Sequence, residues 1–233
     1  MPNVLAHNYV AHRVMRVATP NLALGSVLPD FAGMYRDYQG KRVDLRLFRE
    51  GMLGWGIHLH RRTDEVFDAQ PEKTRATADL AAHLRAYGIK PGAARLSAHL
   101  LADIMLDGAL IDQHEPRGAF AALTEYILDG ETELHSGKFT PDFTQFVEGY
   151  FEESVPTYYS EPEKLARITA RRLAKRARTA KARADRTIGR DQLPALTEVI
   201  DIQADRVRRL GLSALTRTIL ILEQQTDAGV PVS

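Results

Sequence analysis

Apolar residues recur every three or four positions along most of the chain, a spacing that places them on one face of a helix. Proline and glycine mark the helix ends: Pro71 stands at a first turn, where proline is tolerated, and Gly88 can end the helix that follows. The pattern predicts helices over residues 4–17, 45–69, 71–87, 91–112, 116–128, 141–151, 162–187 and 193–210, and a last helix from Gly211 to near Gln225.

Breaks in the pattern predict where the helices are interrupted. Gly25 and Pro29 fall within residues 21–35, so this stretch is expected to be a turn or a broken helix. Strand signals are weak, because the pair Asp129-Gly130 precedes charged rather than alternating β-branched residues. We therefore predict an all-α fold in which one domain of about nine helices spans residues 1–233.

Composition narrows the class of protein. With 233 residues, 44% hydrophobic and 26% charged, the chain is that of a globular rather than a disordered protein. It contains no cysteine, which excludes disulfides, thiolate metal sites and cysteine nucleophiles. No apolar run approaches the roughly 20 residues that span a bilayer, and no leader pattern begins the chain. We expect a cytoplasmic protein that makes no membrane contact.

The net charge of +1 conceals an uneven distribution. Residues 164–190 hold 11 bases and one acid, whereas the rest of the chain holds 20 bases and 29 acids. Leu165, Ile168 and Leu173 give this basic segment a narrow apolar stripe, so a helix here can dock on the body and present cations outward. The cations proposed as partner-binding are Arg171, Arg172, Lys175 and Arg176.

The basic segment has three interpretations. It is a solvated helix face, or a surface that attracts an acidic protein, or one that attracts nucleic acid. Nucleic acid is the least favoured, because the segment has no aromatic residue to stack on a base.

Histidine and aspartate cluster in the first half of the chain, residues 1–115. The richest piece is a predicted helix on which His60, Asp64 and Asp68 are four residues apart and so share one face. His58 is two residues from His60 and points to a different side, so the two are not expected to bind one ion. A single pair with this spacing is more often a surface hydrogen bond or salt bridge than a metal site.

Four further residues favour a metal site. His99 and Asp103 repeat the spacing on another predicted helix, and His7 and Asp30 come from separate segments. Imidazole nitrogen and carboxylate oxygen together suit Zn²⁺, Mn²⁺ or Fe²⁺, and facing helices of a bundle can hold one or two such ions. Such an ion acidifies water and neutralises phosphoryl oxygens, while a nearby arginine can clamp the phosphate.

Three motifs carry a family resemblance: Asn3-x-Leu-Ala-His7, the turn Gly25-x-x-x-x-Asp30-Phe31, and Gly56-Ile-x-x-His60-Arg61-x-x-Asp64-x-x-x-Asp68-x-x-Pro71. Together they resemble the acyl carrier protein phosphodiesterase family, mainly over residues 1–105. The resemblance implies a variant of the HD-domain helical fold and a divalent cation, typically Mn²⁺. It also implies hydrolysis of the phosphodiester that joins 4′-phosphopantetheine to a serine of acyl carrier protein.

Matched position by position, the resemblance implies roles for individual residues. The implied metal ligands are His7, Asp30, His60, Asp64 and Asp103; Asp64 and Arg61 are the catalytic candidates, with Arg61 near the phosphate. His58, Asp68 and His99 are secondary candidates. The chain departs from the usual family pattern at Thr63, Phe67, Gln70, His99 and Ile104.

The leading hypothesis is a Mn²⁺-dependent phosphodiesterase, with Fe²⁺ or Zn²⁺ as alternatives, whose basic helix docks acyl carrier protein. A second hypothesis is a phosphohydrolase of the same fold that acts on a small phosphoester or a nucleotide. A third is a non-catalytic helical protein that binds an acidic partner or nucleic acid through its basic helix.

Overall fold

A computed structural model describes residues 4–113, 118–128, 131–152, 161–177 and 184–227, and over these residues the chain is helical with no strand. The predicted all-α fold is confirmed. The helices are α1 Val4–Met15, α2 Pro20–Gln39, α3 Gly51–Asp68, α4 Pro71–Ala86, α5 Pro91–Gln113, α6 Gly118–Leu128, α7 Pro141–Glu152, α8 Pro162–Arg176 and α9 Leu193–Asp227.

The core forms where long helices pack along one another. Helices α2 and α3 share the most extensive contact, and α9 packs against α4, α5 and α8. Helix α1 lies against α2, α3, α5, α6 and α9, so it is held among five other helices. Because α1 and α3 both carry predicted site residues, this arrangement brings together segments that are distant in sequence.

The predicted break at residues 21–35 is wrong, because α2 runs unbroken from Pro20 to Gln39 with Pro29 inside it. Thr19 caps the helix by accepting a hydrogen bond from the Leu22 N–H, and Gly40 ends it in the left-handed conformation at φ 72°. A proline inside a helix costs about 3 kcal/mol, which the burial of one whole face of α2 outweighs.

Three other predicted boundaries change. Gly211 lies inside α9 and packs against Leu106 of α5, so residues 193–227 form one helix rather than two. Helix α3 begins at Gly51, after a short 3₁₀ turn at Leu45–Leu47. Helix α8 ends at Arg176, whereas the prediction continued it to residue 187, partly through residues 178–183, which lie outside the described ranges.

Over the described ranges, every helix is too short or too polar to be a candidate membrane span.

Candidate metal centre

His7, His60 and Asp64 meet where α1 lies against α3. The His7 Nε2 lies 3.1 Å from Asp64 Oδ1, and the His60 Nε2 lies 3.4 Å from Asp64 Oδ2. Among the described residues, this is the one group of three or more histidine, aspartate or glutamate side chains whose candidate ligand atoms all lie within 4.8 Å of one another. Both histidines are buried, while the Asp64 side chain is 57% exposed, so the group opens to solvent at its carboxylate.

The orientation of His60 is fixed by the backbone of α2. Its Nδ1 lies 2.7 Å from the carbonyl oxygen of Ser26. A carbonyl can only accept, so Nδ1–H donates and Nε2 keeps its lone pair on the side facing Asp64. Burial and the charge of His7 lower the pKa of His60 to about 3, which keeps the ring neutral. This is the tautomer and the charge state that a histidine ligand needs.

His7 stacks on His60 and shares a proton with Asp64. The two ring centroids are 3.7 Å apart with an angle of 24° between the planes. Burial acts to lower the pKa of His7, but the hydrogen bond to Asp64 and its charge outweigh burial and raise it. The same contact lowers the pKa of Asp64, although burial acts to raise it. A protonated His7 therefore holds the carboxylate in place without an ion.

Two glycines, Gly25 on α2 and Gly56 on α3, allow these helices to approach closely enough for this geometry. A Cβ on Gly56 would lie 2.6 Å from the Leu22 carbonyl oxygen and 2.7 Å from the Ser26 nitrogen. Both of these atoms belong to the backbone of α2 and cannot rotate away, so a side chain at residue 56 would force the helices apart. His60 is one turn beyond Gly56, and the close crossing is what brings it to the Ser26 carbonyl.

The sequence interpretation missed Asp107, which positions the start of α1. The carboxyl group of this residue of α5 accepts hydrogen bonds from the backbone N–H groups of Leu5 (3.2 Å) and Ala6 (2.9 Å), immediately before His7. It thereby satisfies first-turn donors that have no partner within the helix. Burial raises the pKa of Asp107 to about 8, against the effect of these backbone bonds. A signal existed, since Asp107 is four residues after Asp103.

Asp30 is close enough to affect the centre electrostatically but does not belong to the three-residue group. It is half-buried on α2, and its charge acts to raise the pKa values of His7 and Asp107. Its role as a ligand stays a prediction.

The family is decided by a comparison over most of the chain. The sequence model described as "Acyl carrier protein phosphodiesterase" matches residues 3–199 of 233. The chain belongs to this family. The match extends far past residue 105, where the motif resemblance was expected to end, and includes α6, α7 and α8. No curated protein and no solved structure matches the chain, so the HD-domain-like arrangement stays a prediction.

Four of the departures from the family pattern lie in helix packing rather than among the three clustered residues. All four side chains are buried, and the Gln70 amide donates to the Val66 carbonyl at 2.9 Å. These positions are Thr63, Phe67, Gln70 and Ile104.

Asp103 and His99 form a second polar group beside the centre. Asp103 is bonded to Lys73 Nζ and lies 3.9 Å from His99 Nε2. Lys73 is 3% exposed and also lies over the Phe67 ring, 4.7 Å from its centroid. Sequence reasoning missed Lys73, because a lysine in the first turn of a helix is ordinarily solvent-exposed. Asp103 as a metal ligand stays a prediction.

Asp68 connects the two groups. Burial raises its pKa, and Lys73 and His99 oppose this while the charges of Asp103 and Asp64 add to it. The stripe predicted from the spacing of four thus runs from the centre toward the second polar group.

Arg61 and His58 face a separate cavity of about 370 Å³ rather than the His7–His60–Asp64 group. Arg46, Arg49 and Trp55 also line this cavity. As the spacing predicts, His58 points away from His60, and burial together with Arg62 and Arg61 lowers its pKa. Arg61 follows His60 directly in α3, so the cavity adjoins the centre along that helix.

The basic segment does not present all four predicted cations outward. Arg172 is 7% exposed, and its guanidinium lies 2.9 Å from the sulfur of Met34, so the outward placement predicted for it is wrong. Arg172 lies on the buried side of α8 together with Leu173 of the apolar stripe. Burial and the charge of Arg176 lower the pKa of Arg172 to about 9. Arg176 bonds Asp37 at 3.1 Å, Lys175 lies over the Tyr38 ring, and Arg171 is exposed.

Proposed function

We propose that this protein is a divalent-metal-dependent phosphodiesterase that releases 4′-phosphopantetheine from acyl carrier protein. The observation that carries the proposal is the convergence of His7, His60 and Asp64, with His60 oriented by the Ser26 carbonyl. Family membership supports the substrate class. Two imidazoles and a carboxylate suit Mn²⁺, with Fe²⁺ or Zn²⁺ as alternatives.

The protonation states of the three residues suit a cation site. His60 is neutral, Asp64 is ionised, and His7 has to give up only the proton that it shares with Asp64. A divalent cation held there would lower the pKa of a bound water and offset the charge on phosphoryl oxygens. The exposed side of Asp64 leaves a path for a phosphodiester to approach.

Arg61 is the residue that we assign to the phosphate. Arg61 is exposed and lines the cavity that adjoins the centre along α3, rather than the His7–His60–Asp64 group itself. A phosphodiester held at the centre would therefore have to extend toward this cavity for its oxygens to accept the paired hydrogen bonds that a guanidinium donates. The adjoining cavity supports a second candidate, a small phosphoester or a nucleotide, since Arg49 and Trp55 offer a cation and an aromatic face.

The test is conversion of holo-acyl carrier protein to the apo form, followed by mass spectrometry. Protein treated with EDTA should be inactive and should regain activity with Mn²⁺. Asp64→Asn and His60→Ala should lower the rate roughly a hundredfold or more, since loss of even an indirect support of a metal costs about 10- to 100-fold. The matched controls are Asp205→Asn on α9 and His83→Ala on α4, which lie outside the centre.

Activity that is unaffected by EDTA, or equal in Asp64→Asn, would contradict the proposal. Parallel assays on bis(4-nitrophenyl) phosphate and a cyclic nucleotide separate the candidates. Faster turnover of the small substrates than of the carrier would favour the second candidate over the first. Normal carrier binding with no metal-dependent turnover of any substrate would favour a non-catalytic binding protein.

A further inference from the structure

A groove of about 780 Å³ runs between α4 and α5 and begins beside the candidate metal centre. Asp68, Lys73 and His99 line its inner end, and Arg85 and Arg95 line the remainder. Asp68 follows Asp64 by one turn of α3, so the groove and the centre are neighbours. A molecule bound at the centre can therefore extend into this groove.

The rise per residue along α4 and α5 gives the length of the groove. Lys73 bonds Asp103, which joins the start of α4 to the middle of α5. Arg85 is three turns beyond Lys73, or about 18 Å at 1.5 Å per residue. Arg95 is two turns before Asp103, or about 12 Å. The two arginines therefore lie some distance from the centre. A carrier protein whose modified residue reaches the centre could contact them with another part of its surface.

The arginines of the groove are available for a partner. Both are exposed, and neither has an ion-pair partner within the described part of the chain. Asp185 also lines this end of the groove, where its carboxylate lies against Gly92 at the N-terminus of α5. On α8, by contrast, Arg176 already pairs with Asp37 and Arg172 is buried.

We propose that the α4–α5 groove is the docking surface for the acidic carrier protein, whose carboxylates contact Arg85 and Arg95. This inference rests on the proposed function, which supplies the carrier as the partner. Opposite charges steer two proteins together and fix their register. Unpaired cations along a groove that begins at the centre would therefore hold the carrier with its modified serine directed toward the centre. Docking is thereby assigned to the groove rather than to the basic face of α8.

The test compares two double charge reversals with the same change in net charge, Arg85→Glu/Arg95→Glu in the groove and Arg171→Glu/Lys175→Glu on α8. Binding of holo-acyl carrier protein is titrated by calorimetry on EDTA-treated protein at low and high salt, so that turnover does not interfere. The groove variant should raise the Kd at low salt by more than about tenfold, and the α8 variant by less than about twofold. High salt should reduce the difference between them.

Kinetics give a second readout. In the groove variant, kcat/KM for the carrier should fall more than about tenfold relative to kcat/KM for bis(4-nitrophenyl) phosphate, which has no protein to dock. A carrier Kd unaffected by the groove variant, an equal or larger effect of the α8 variant, or no binding by the wild-type protein would overturn the inference. Failure of the proposed function is read separately, as the absence of metal-dependent diester hydrolysis by the wild-type protein.

Discussion

Gly25 and Gly56 face each other where α2 and α3 cross, and a Cβ on Gly25 would lie 3.0 Å from the Cα of Gly56. This contact between two backbones sets the separation of the two helices. Since His60 and Ser26 are both close to the crossing, the glycines also govern the 2.7 Å hydrogen bond that orients His60.

Gly56→Ala should therefore destabilise the protein by about 1–3 kcal/mol, the usual cost of forcing extra volume into a packed interior. Gly33→Ala is the matched control: Gly33 likewise lies inside a helix, α2, but a Cβ there would meet nothing within 4 Å. That control should be neutral or stabilising by up to about 1 kcal/mol, because alanine favours helix. Urea denaturation measures both, and equal losses would contradict the role of the crossing.

Lys73→Met should cost about 2 kcal/mol, because it leaves the largely buried Asp103 carboxylate without its cation. A double-mutant cycle with Asp103→Asn should give a coupling energy of about 1 kcal/mol or more. The control is Lys138→Met, which removes a pair with Glu133 whose lysine is 57% exposed, and it should cost less than about 0.5 kcal/mol. A coupling energy near zero would show that the Lys73–Asp103 contact contributes nothing to stability.

Asp107→Asn should change how stability depends on pH. The raised pKa of about 8 means that the folded protein keeps this proton, whereas the unfolded chain loses it near 3.8. Between these values the folded state binds more protons, so this group makes the protein less stable as pH rises. Asparagine does not titrate, so the variant lacks this loss of stability. The melting temperature of Asp107→Asn minus that of the wild-type protein, both measured in EDTA, should therefore increase from about pH 5 to about pH 8. A difference that is constant with pH would contradict the burial of a titrating carboxyl.

Metal binding should release a proton from His7. Its pKa is raised above 6.5, so the ring is largely protonated at about pH 6, and an imidazole must be neutral to bind a metal. His60, with a pKa of about 3, has no proton to lose at that pH. Calorimetric titration with Mn²⁺ in two buffers of different ionisation enthalpy should show about one proton released per ion. No dependence on the buffer would exclude His7 as a ligand.

Local patterns predicted the helices but not every boundary. Gly25, Pro29 and Gly211 punctuate the sequence as helix breakers do, yet each lies inside a helix. Gly25 and Gly211 occupy contacts between helices, and only the tertiary structure shows that need. In α2, burial of a whole face overrides the local cost of a proline.

The candidate centre was predictable as far as helical spacing reaches. The interval of four residues from His60 to Asp64 places both on one face of a helix. The concentration of histidine and aspartate in the first half of the chain made His7 a further candidate ligand. The Ser26 carbonyl and the buried Lys73 depend on contacts between separate helices, which no spacing along the chain reveals. Asp107 had a signal in its spacing from Asp103, but its bonds to α1 are tertiary.

His7, His60 and Asp64 are proposed to bind a divalent cation. Titration of EDTA-treated protein with Mn²⁺, followed by the loss of the free-ion signal in electron paramagnetic resonance, measures this directly. The wild-type protein and the controls Asp205→Asn and His83→Ala should bind Mn²⁺ equally, and His60→Ala and Asp64→Asn should lose that binding. A wild-type protein that binds no Mn²⁺, or equal binding by Asp64→Asn and His60→Ala, would contradict the claim.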